Sequence, residues 1–239
     1  MTHRIVRRAM LTAGLIVSSA AALTGCGGAV SPPSSHPTAS STATVPATAG
    51  DAAAALLIFL RSASSVHVAG GYTWPHASMR VNVDLLKSGQ VAGSILNSGS
   101  PMTVIDAGGK LYAKATPAFL RSIGKSAACT AICGKYVIAK PFLARGIIKS
   151  MGWKTTIAVL TGVAQSFVSL SRTTYQGQPA LRAVLDFYAP GASIIMSATP
   201  QCYPLLVTDP GHFQLTFTHW NNVPTPVAPA RRLIQTAPW

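Results

Sequence analysis

The chain has 239 residues, with 19 Lys or Arg and five acidic residues, which gives a net charge of +14. All five acidic residues are Asp and none is Glu, which excludes a zinc-protease helix of the form H-E-x-x-H. This length suits one folded domain with flanking segments.

Residues 1–25 have the pattern of a bacterial lipoprotein signal peptide. Three arginines precede an apolar stretch, and Leu-Thr-Gly stands directly before Cys26. The apolar stretch is shorter than the roughly 20 residues that cross a bilayer, so we expect no permanent transmembrane helix. We expect cleavage before Cys26 and acylation of that residue. An ordinary cleaved secretion signal is the alternative.

Because the signal peptide predicts export, the anionic partners of this basic chain are expected to lie outside the cytoplasm. Acyl chains on Cys26 would hold the mature chain at the extracytoplasmic face of the plasma membrane, so we expect no nucleic-acid partner. The anions outside the cytoplasm are phospholipid head groups, anionic glycolipids and cell-wall polymers. Non-specific attraction to an anionic membrane surface is one explanation of the charge, and a dedicated anion site is the other.

Four segments follow from the composition along the chain. After the signal peptide, residues 26–50 combine the acylated Cys with a Ser/Thr/Pro tether that has no apolar periodicity and is predicted to be disordered. A folded domain is predicted over 51–222, and a Pro-rich tail over 223–239. Asp51 is the predicted N-cap of a first helix that ends at Ser62.

Short strand patterns separated by turn residues follow the first helix. In Met79–Leu85, for example, apolar and polar residues alternate, which is typical of a strand with one buried face. These patterns predict an antiparallel meander. Its strands are Val66–Tyr72, Met79–Leu85, Val91–Asn97, Met102–Asp106 and Lys110–Lys114.

The middle of the chain has helical spacing, and strand patterns then return. Strands, then helices, then strands indicate an α+β fold, with helices covering one face of a curved antiparallel sheet. The predicted helices are Pro117–Ile123, Pro141–Met151 and Thr155–Leu170. The later strands are Leu170–Tyr175, Ala180–Tyr188, Ser193–Ala198, Tyr203–Val207 and Phe213–Trp220.

Three cysteines remain if Cys26 is acylated. Cys129 and Cys133 are candidates for a small disulfide loop in an oxidising compartment. Pairing of either residue with Cys202 stays open on sequence alone. The three cysteines lack a patterned His pair, so we expect no zinc site and no other metal.

No pattern of catalytic residues stands out. The aspartates are isolated, so no carboxylate pair for glycoside hydrolysis is indicated, and neither a G-x-S-x-G elbow nor a phosphate-binding loop occurs. The histidines are interpreted as structural or surface residues. We therefore expect a protein that is not an enzyme and that uses no cofactor.

Several short motifs resemble those of one family. They are Ser-Val-His-Val-Ala-Gly at Ser65–Gly70, Gly-Gly-Lys-Leu-Tyr-Ala-Lys at Gly108–Lys114, Gly-Lys-Tyr-Val at Gly134–Val137 and Tyr-Gln-Gly-Gln-Pro-Ala at Tyr175–Ala180. Together with the Leu-Thr-Gly-Cys motif that ends at Cys26 (the lipobox) and the tether, these motifs occur in an order that resembles that in the LppX/LprA/LprF/LprG lipoproteins of mycobacteria and their actinobacterial relatives. Tyr136 stands where the family pattern has Trp.

The resemblance implies a half-barrel sheet around helices, with an apolar cavity that carries an acylated lipid or lipoglycan. The candidate lining residues are Val81, Val83, Leu85, Ile105, Phe142, Ile147, Ile148, Val159, Val163, Phe167, Leu185, Phe187, Phe213, Leu215 and Phe217. The candidates for contact with an anionic head group are Lys110, Lys114, Lys135 and Lys140, and solvated strand ends are their other interpretation.

Two functions compete at this point. The first is a monomeric, membrane-anchored lipoprotein that binds or ferries a lipid or glycolipid without catalysis. The second is a lipid-anchored adaptor of the cell envelope, in which the same apolar residues fill an ordinary core.

Overall fold

The computed structural model describes residues 44–74, 77–122, 124–139, 151–186 and 189–235. All of them belong to one compact unit, Thr42–Trp239. Within these ranges, no helix combines the length and the apolar character that crossing a bilayer requires. Some predicted residues lie outside the described ranges and stay predictions: Cys26, Lys140, Phe142, Ile147, Ile148 and Phe187.

The described strands form a single open, curved sheet, so the predicted α+β class is confirmed. The sheet has 12 strands in the order β12-β6-β5-β4-β3-β2-β1-β11-β10-β9-β8-β7. They are β1 Ser65–Trp74, β2 Ala77–Leu86, β3 Val91–Asn97, β4 Ser100–Ala107, β5 Lys110–Ala115, β6 Tyr136–Ile138, β7 Phe167–Tyr175, β8 Gln178–Leu185, β9 Ser193–Ser197, β10 Pro204–Asp209, β11 Phe213–Thr218 and β12 Ile234–Gln235.

Two antiparallel meanders make up this sheet. Strands β1 to β6 form one and β7 to β11 the other, and the pairing of β1 with β11 joins them. Every neighbouring pair is antiparallel except β12 with β6, which is parallel. The alternation in Met79–Leu85 is confirmed, because Val81, Val83 and Leu85 are buried.

The first helix, α1, covers Ala49–Ser62 and begins earlier than predicted. Its N-cap is Thr48, whose hydroxyl accepts a hydrogen bond from the Asp51 backbone N–H at 3.1 Å. The same hydroxyl donates to the Asp51 carboxylate at 2.7 Å. Asp51 is therefore the third residue after the cap, where its negative charge favours the helix N-terminus.

Three further helices are described, and two of them differ from the prediction. They are α2 Pro117–Ser122, α3 Cys129–Ile132 and α4 Trp153–Gln165. Helix α3 lies where no helix was predicted, and α4 ends earlier than predicted. The predicted helix Pro141–Met151 lies outside the described residues except for Met151.

Helix α4 was predicted to continue to Leu170, but the chain leaves the helix at Ser166 and enters β7. The segment from Phe167 pairs with β8, with Phe167 opposite Leu185 and a register shift between Phe167 and Ser169. This pairing outweighs the helical spacing.

The main core lies between the sheet and helices α1 and α4. Leu56 and Leu60 from α1, and Leu160 and Val163 from α4, are buried in one cluster with the inward residues of the strands. A smaller cluster of Leu120, Ile132 and Val137 lies where the chain passes from β5 to β6.

The disulfide prediction is confirmed within that smaller cluster. Cys129 and Cys133 are bonded, with their Cα atoms 4.6 Å apart. Cys202 is a free thiol and is fully buried in the main core. The two alternative pairings with Cys202 are therefore not formed.

Burial raises the pKa of the Cys202 thiol to about 11, which lowers the thiolate fraction at neutral pH. Because the thiolate is the reactive species, we expect no labelling of Cys202 by a maleimide at pH 8 in the folded chain, and complete labelling in urea. Mass spectrometry of the labelled protein measures this. Rapid labelling of the folded chain would contradict the buried placement.

The C-terminal segment is part of the fold. Residues 223–235, the C-terminal strap, begin shortly after β11 and run to a 3₁₀ turn at Arg231–Leu233 and then to β12 at the sheet edge. Val223, Pro226 and Pro229 are half-buried, and the residues between them are exposed. These half-buried residues are three positions apart, which is the period of a polyproline II helix. One side of the strap therefore packs against the protein and the other faces solvent.

Candidate functional site

A cavity lies between helix α4 and the inner face of the sheet. Its volume is about 50 Å³, which is room for about four water-sized groups. Strands β1, β2, β10 and β11 form its floor, and α4 with Met151 forms its roof. The curvature of the sheet and the position of one helix therefore create the cavity.

The described lining is almost entirely apolar. It contains no charged side chain among the described residues, and Tyr72, Thr155 and Thr156 supply its polar groups. Such a surface favours hydrocarbon over ions or sugars. The full lining is Val68, Tyr72, Met79, Val81, Val83, Leu85, Met151, Thr155, Thr156, Val159, Leu160, Val207, Phe213, Leu215 and Phe217.

The structure brings together seven of the predicted lining residues: Val81, Val83, Leu85, Val159, Phe213, Leu215 and Phe217. Val163, Phe167 and Leu185 belong to the core but do not reach the cavity. Ile105 lies on the opposite face of the sheet. It pairs with Ala92 and Tyr112, whereas its neighbour Val104 faces the core.

Some lining residues were not predicted from the sequence. Only some of these residues lie in an apolar pattern that the sequence shows. Val68 and Tyr72 lie four positions apart in β1, with Gly70 between them, so the alternation was detectable in spite of the glycine. Thr155 and Thr156 are polar and left no apolar signal.

At one end of the cavity, the lining residue Phe217 belongs to a cluster of aromatic rings. The ring of Trp220 lies 5.0 Å from Phe59, 6.1 Å from Phe217 and 6.5 Å from Trp153, measured between ring centroids. The Trp220 indole N–H donates to the Pro204 carbonyl at 2.8 Å. This hydrogen bond holds the ring in place behind Phe217, which makes this the more closely packed end.

The other end is partly open. Tyr72, Met79 and Phe213 line it and are each half-buried, and the rings of Tyr72 and Phe213 lie 5.8 Å apart. Burial raises the pKa of the Tyr72 phenol, so this hydroxyl stays protonated. On the roof, Val159 is 41% exposed although it lines the cavity. Solvent therefore reaches the cavity beside α4.

Three of the predicted head-group lysines are described, and none of the three lines this cavity. Lys110 and Lys114 alternate along β5 with Leu111, which faces the main core. Both lysines therefore lie on the face of the sheet away from the cavity. Lys135 is exposed in the turn before β6. The direction in which β5 presents its side chains therefore keeps Lys110 and Lys114 away from the cavity, and contact of Lys135 or Lys140 with a head group stays a prediction.

Away from the cavity, the described part of the chain contains an ion pair between a histidine and an aspartate. His67 Nδ1 lies 2.7 Å from Asp84 Oδ1, on neighbouring strands. Over the described ranges, no group of three or more His, Cys, Asp or Glu side chains is placed to hold a metal ion.

The fold is thus a curved antiparallel sheet with helices on one face and a small apolar cavity between them. No family model matches the chain, and no curated protein matches its sequence. LprF from Mycobacterium bovis is 15% identical, with 76% of this chain and 97% of LprF covered and a TM-score of 0.48. The lipoprotein LppX from Mycobacterium tuberculosis is 12% identical, with 74% and 97% covered and a TM-score of 0.45.

A further solved structure, MucB in complex with MucA, is 15% identical, with 78% of this chain and 60% of MucB covered and a TM-score of 0.32. LprF and LppX are members of the group that the sequence motifs resemble. At these identities and TM-scores, the similarity concerns the fold and gives no information about a ligand of this chain.

Proposed function

We propose that this protein is a membrane-anchored lipoprotein of the cell envelope that binds or ferries the acyl chain of a lipid or glycolipid between helix α4 and the sheet. One observation carries the proposal: the described lining of the cavity is apolar and uncharged, and the cavity reaches solvent beside Val159. Cleavage before Cys26 and its acylation are part of the same proposal.

Uptake requires the cavity to widen, because about 50 Å³ is too little for a whole acyl chain. The movable part is α4, since the strands that form the floor are held by continuous ladders on both sides. Each methylene that leaves water contributes about 0.8 kcal/mol. Ten methylenes therefore supply roughly 8 kcal/mol towards displacing the helix.

The test is native mass spectrometry of the mature chain, residues 26–239, with Cys26→Ser so that no anchor contributes mass. We expect co-purified lipid on this chain. Val159→Trp fills the space under α4 and is expected to abolish the adduct, whereas Ala158→Trp, on an exposed position of the same helix, is expected to retain it. Loss of lipid from both variants would instead indicate damage to α4.

The small volume of the cavity favours a second candidate, the envelope adaptor with a filled core. It predicts a chain that is free of lipid after purification and takes up none from mixed micelles. The same spectra distinguish the two functions.

A further inference from the structure

The connection from β5 to β6 and the end of the C-terminal strap carry six cationic residues at one end of the same sheet edge. We call this group the basic corner: Lys114, Arg121, Lys125, Lys135, Arg231 and Arg232. Lys114 is the last residue but one of β5, and Arg121 and Lys125 lie in the segment that leads to Lys135 and β6. These four cationic residues lie close together in the sequence.

The strap supplies the remaining two charges, which are far away in the sequence. Ile234 pairs with Tyr136 in β6, so the turn Arg231–Leu233 lies beside the start of that strand. Lys114 pairs with Tyr136 from the other side, and its ammonium lies 5.8 Å from the centre of the Tyr136 ring. Tyr136 is thus flanked by a cation-bearing segment on each side.

No acidic side chain among the described residues neutralises these charges. The sequence has no acidic residue from Ala107 to Leu185 and none after Asp209. Asp106 is the nearest acid along these strands, and it pairs with Leu111, towards the other end of β5 from Lys114. Over the described ranges, none of the six cations takes part in an ion pair.

Two apolar side chains are exposed at the same sheet edge. Leu233 is 40% exposed directly after Arg232, and Ile138 is 44% exposed at the end of β6. Exposed apolar residues beside cations are typical of surfaces that enter the head-group region of a bilayer. A soluble polyanion offers no apolar region for these two side chains to enter.

We propose that the basic corner docks on an anionic phospholipid surface, with Leu233 and Ile138 entering the head-group region. This inference rests on the proposed anchoring at the membrane and adds a second contact with it. From Cys26 to Thr44 the chain has 18 residue steps, which reach at most about 60 Å. The tether is therefore long enough for the corner to touch the bilayer that holds the anchor.

Vesicle co-sedimentation of the unacylated mature chain (Cys26→Ser) tests the docking. We expect binding to vesicles of phosphatidylcholine mixed with phosphatidylglycerol, and none to pure phosphatidylcholine. The double variant Arg231→Gln/Arg232→Gln is expected to bind on the order of thirtyfold more weakly. Its control is Arg172→Gln/Arg182→Gln on β7 and β8, which removes the same charge at the other end of the sheet. This control is expected to change binding less than about twofold.

Three results would overturn the proposal. Equal losses in the two double variants would mean that net charge alone attracts the chain. Equal binding to neutral and anionic vesicles would exclude recognition of charge. Binding that soluble polyphosphate abolishes and that Leu233→Ser leaves unchanged would point to a soluble polyanion. Because the assay needs no cargo, it separates failure of docking from failure of lipid uptake.

Discussion

Replacement of Gly70 by Ala is expected to destabilise the fold by about 3–5 kcal/mol. Gly70 has a φ of 150°, in a region that is open essentially to glycine alone. A Cβ at this position would overlap the backbone carbonyl oxygen of Gln214 in β11. Gly70 pairs with Val81 on one side and with Leu215 on the other, so the strain falls on the strand that joins the two meanders.

Urea unfolding followed by circular dichroism measures this loss. Gly99→Ala is the matched control, because Gly99 also has a positive φ, 80°, but has open space around its Cβ position. We expect this control to cost about 1–2 kcal/mol. Equal losses at the two positions would show that backbone conformation alone, and not the close approach of β11, sets the requirement for glycine.

Truncation of Phe217 to Ala is the second large effect, and we expect it to lower the free energy of unfolding by about 3–5 kcal/mol. The side chain is 2% exposed, lines the cavity and stacks on Trp220. Its removal deletes apolar contact and leaves a void at the more closely packed end. The aromatic cluster then loses one of its rings.

Phe217→Leu is the control, since it keeps most of the volume and is expected to cost less than about 1.5 kcal/mol. Both variants are measured by urea unfolding after delipidation, because bound lipid would stabilise the folded state. If Phe217→Ala cost less than about 1 kcal/mol, the ring would not be packed as described.

Much of the sheet could be predicted because local patterns agree with the final pairing. Alternation from Val81 to Leu85 places three side chains on one face, and the turn residues after them allow a short hairpin to β3. The same agreement explains why seven predicted lining residues meet at the cavity. Where local signal and tertiary pairing conflicted, as at Phe167, the pairing with β8 prevailed.

The direction of a side chain was harder to predict at positions where both faces carry apolar residues. Ile105 and Val104 are adjacent and both apolar, so sequence could not say which one faces the core. The register with Ala92 and Tyr112 decides it. Lys110 and Lys114 were misplaced for the same reason, because their face depends on which side of β5 the helices cover.

The sequence by itself determined the strand-helix-strand order and the uneven charge, because each depends on neighbours along the chain. It made Cys129 and Cys133 the local candidates for a disulfide but left pairing with Cys202 open, and the structure decided between them. The tertiary structure alone decided the small volume of the cavity, the burial of Cys202 and the position of Arg231 and Arg232 beside β6. These features depend on residues far apart in the chain, such as Ile234 and Tyr136, whose contact no local pattern encodes.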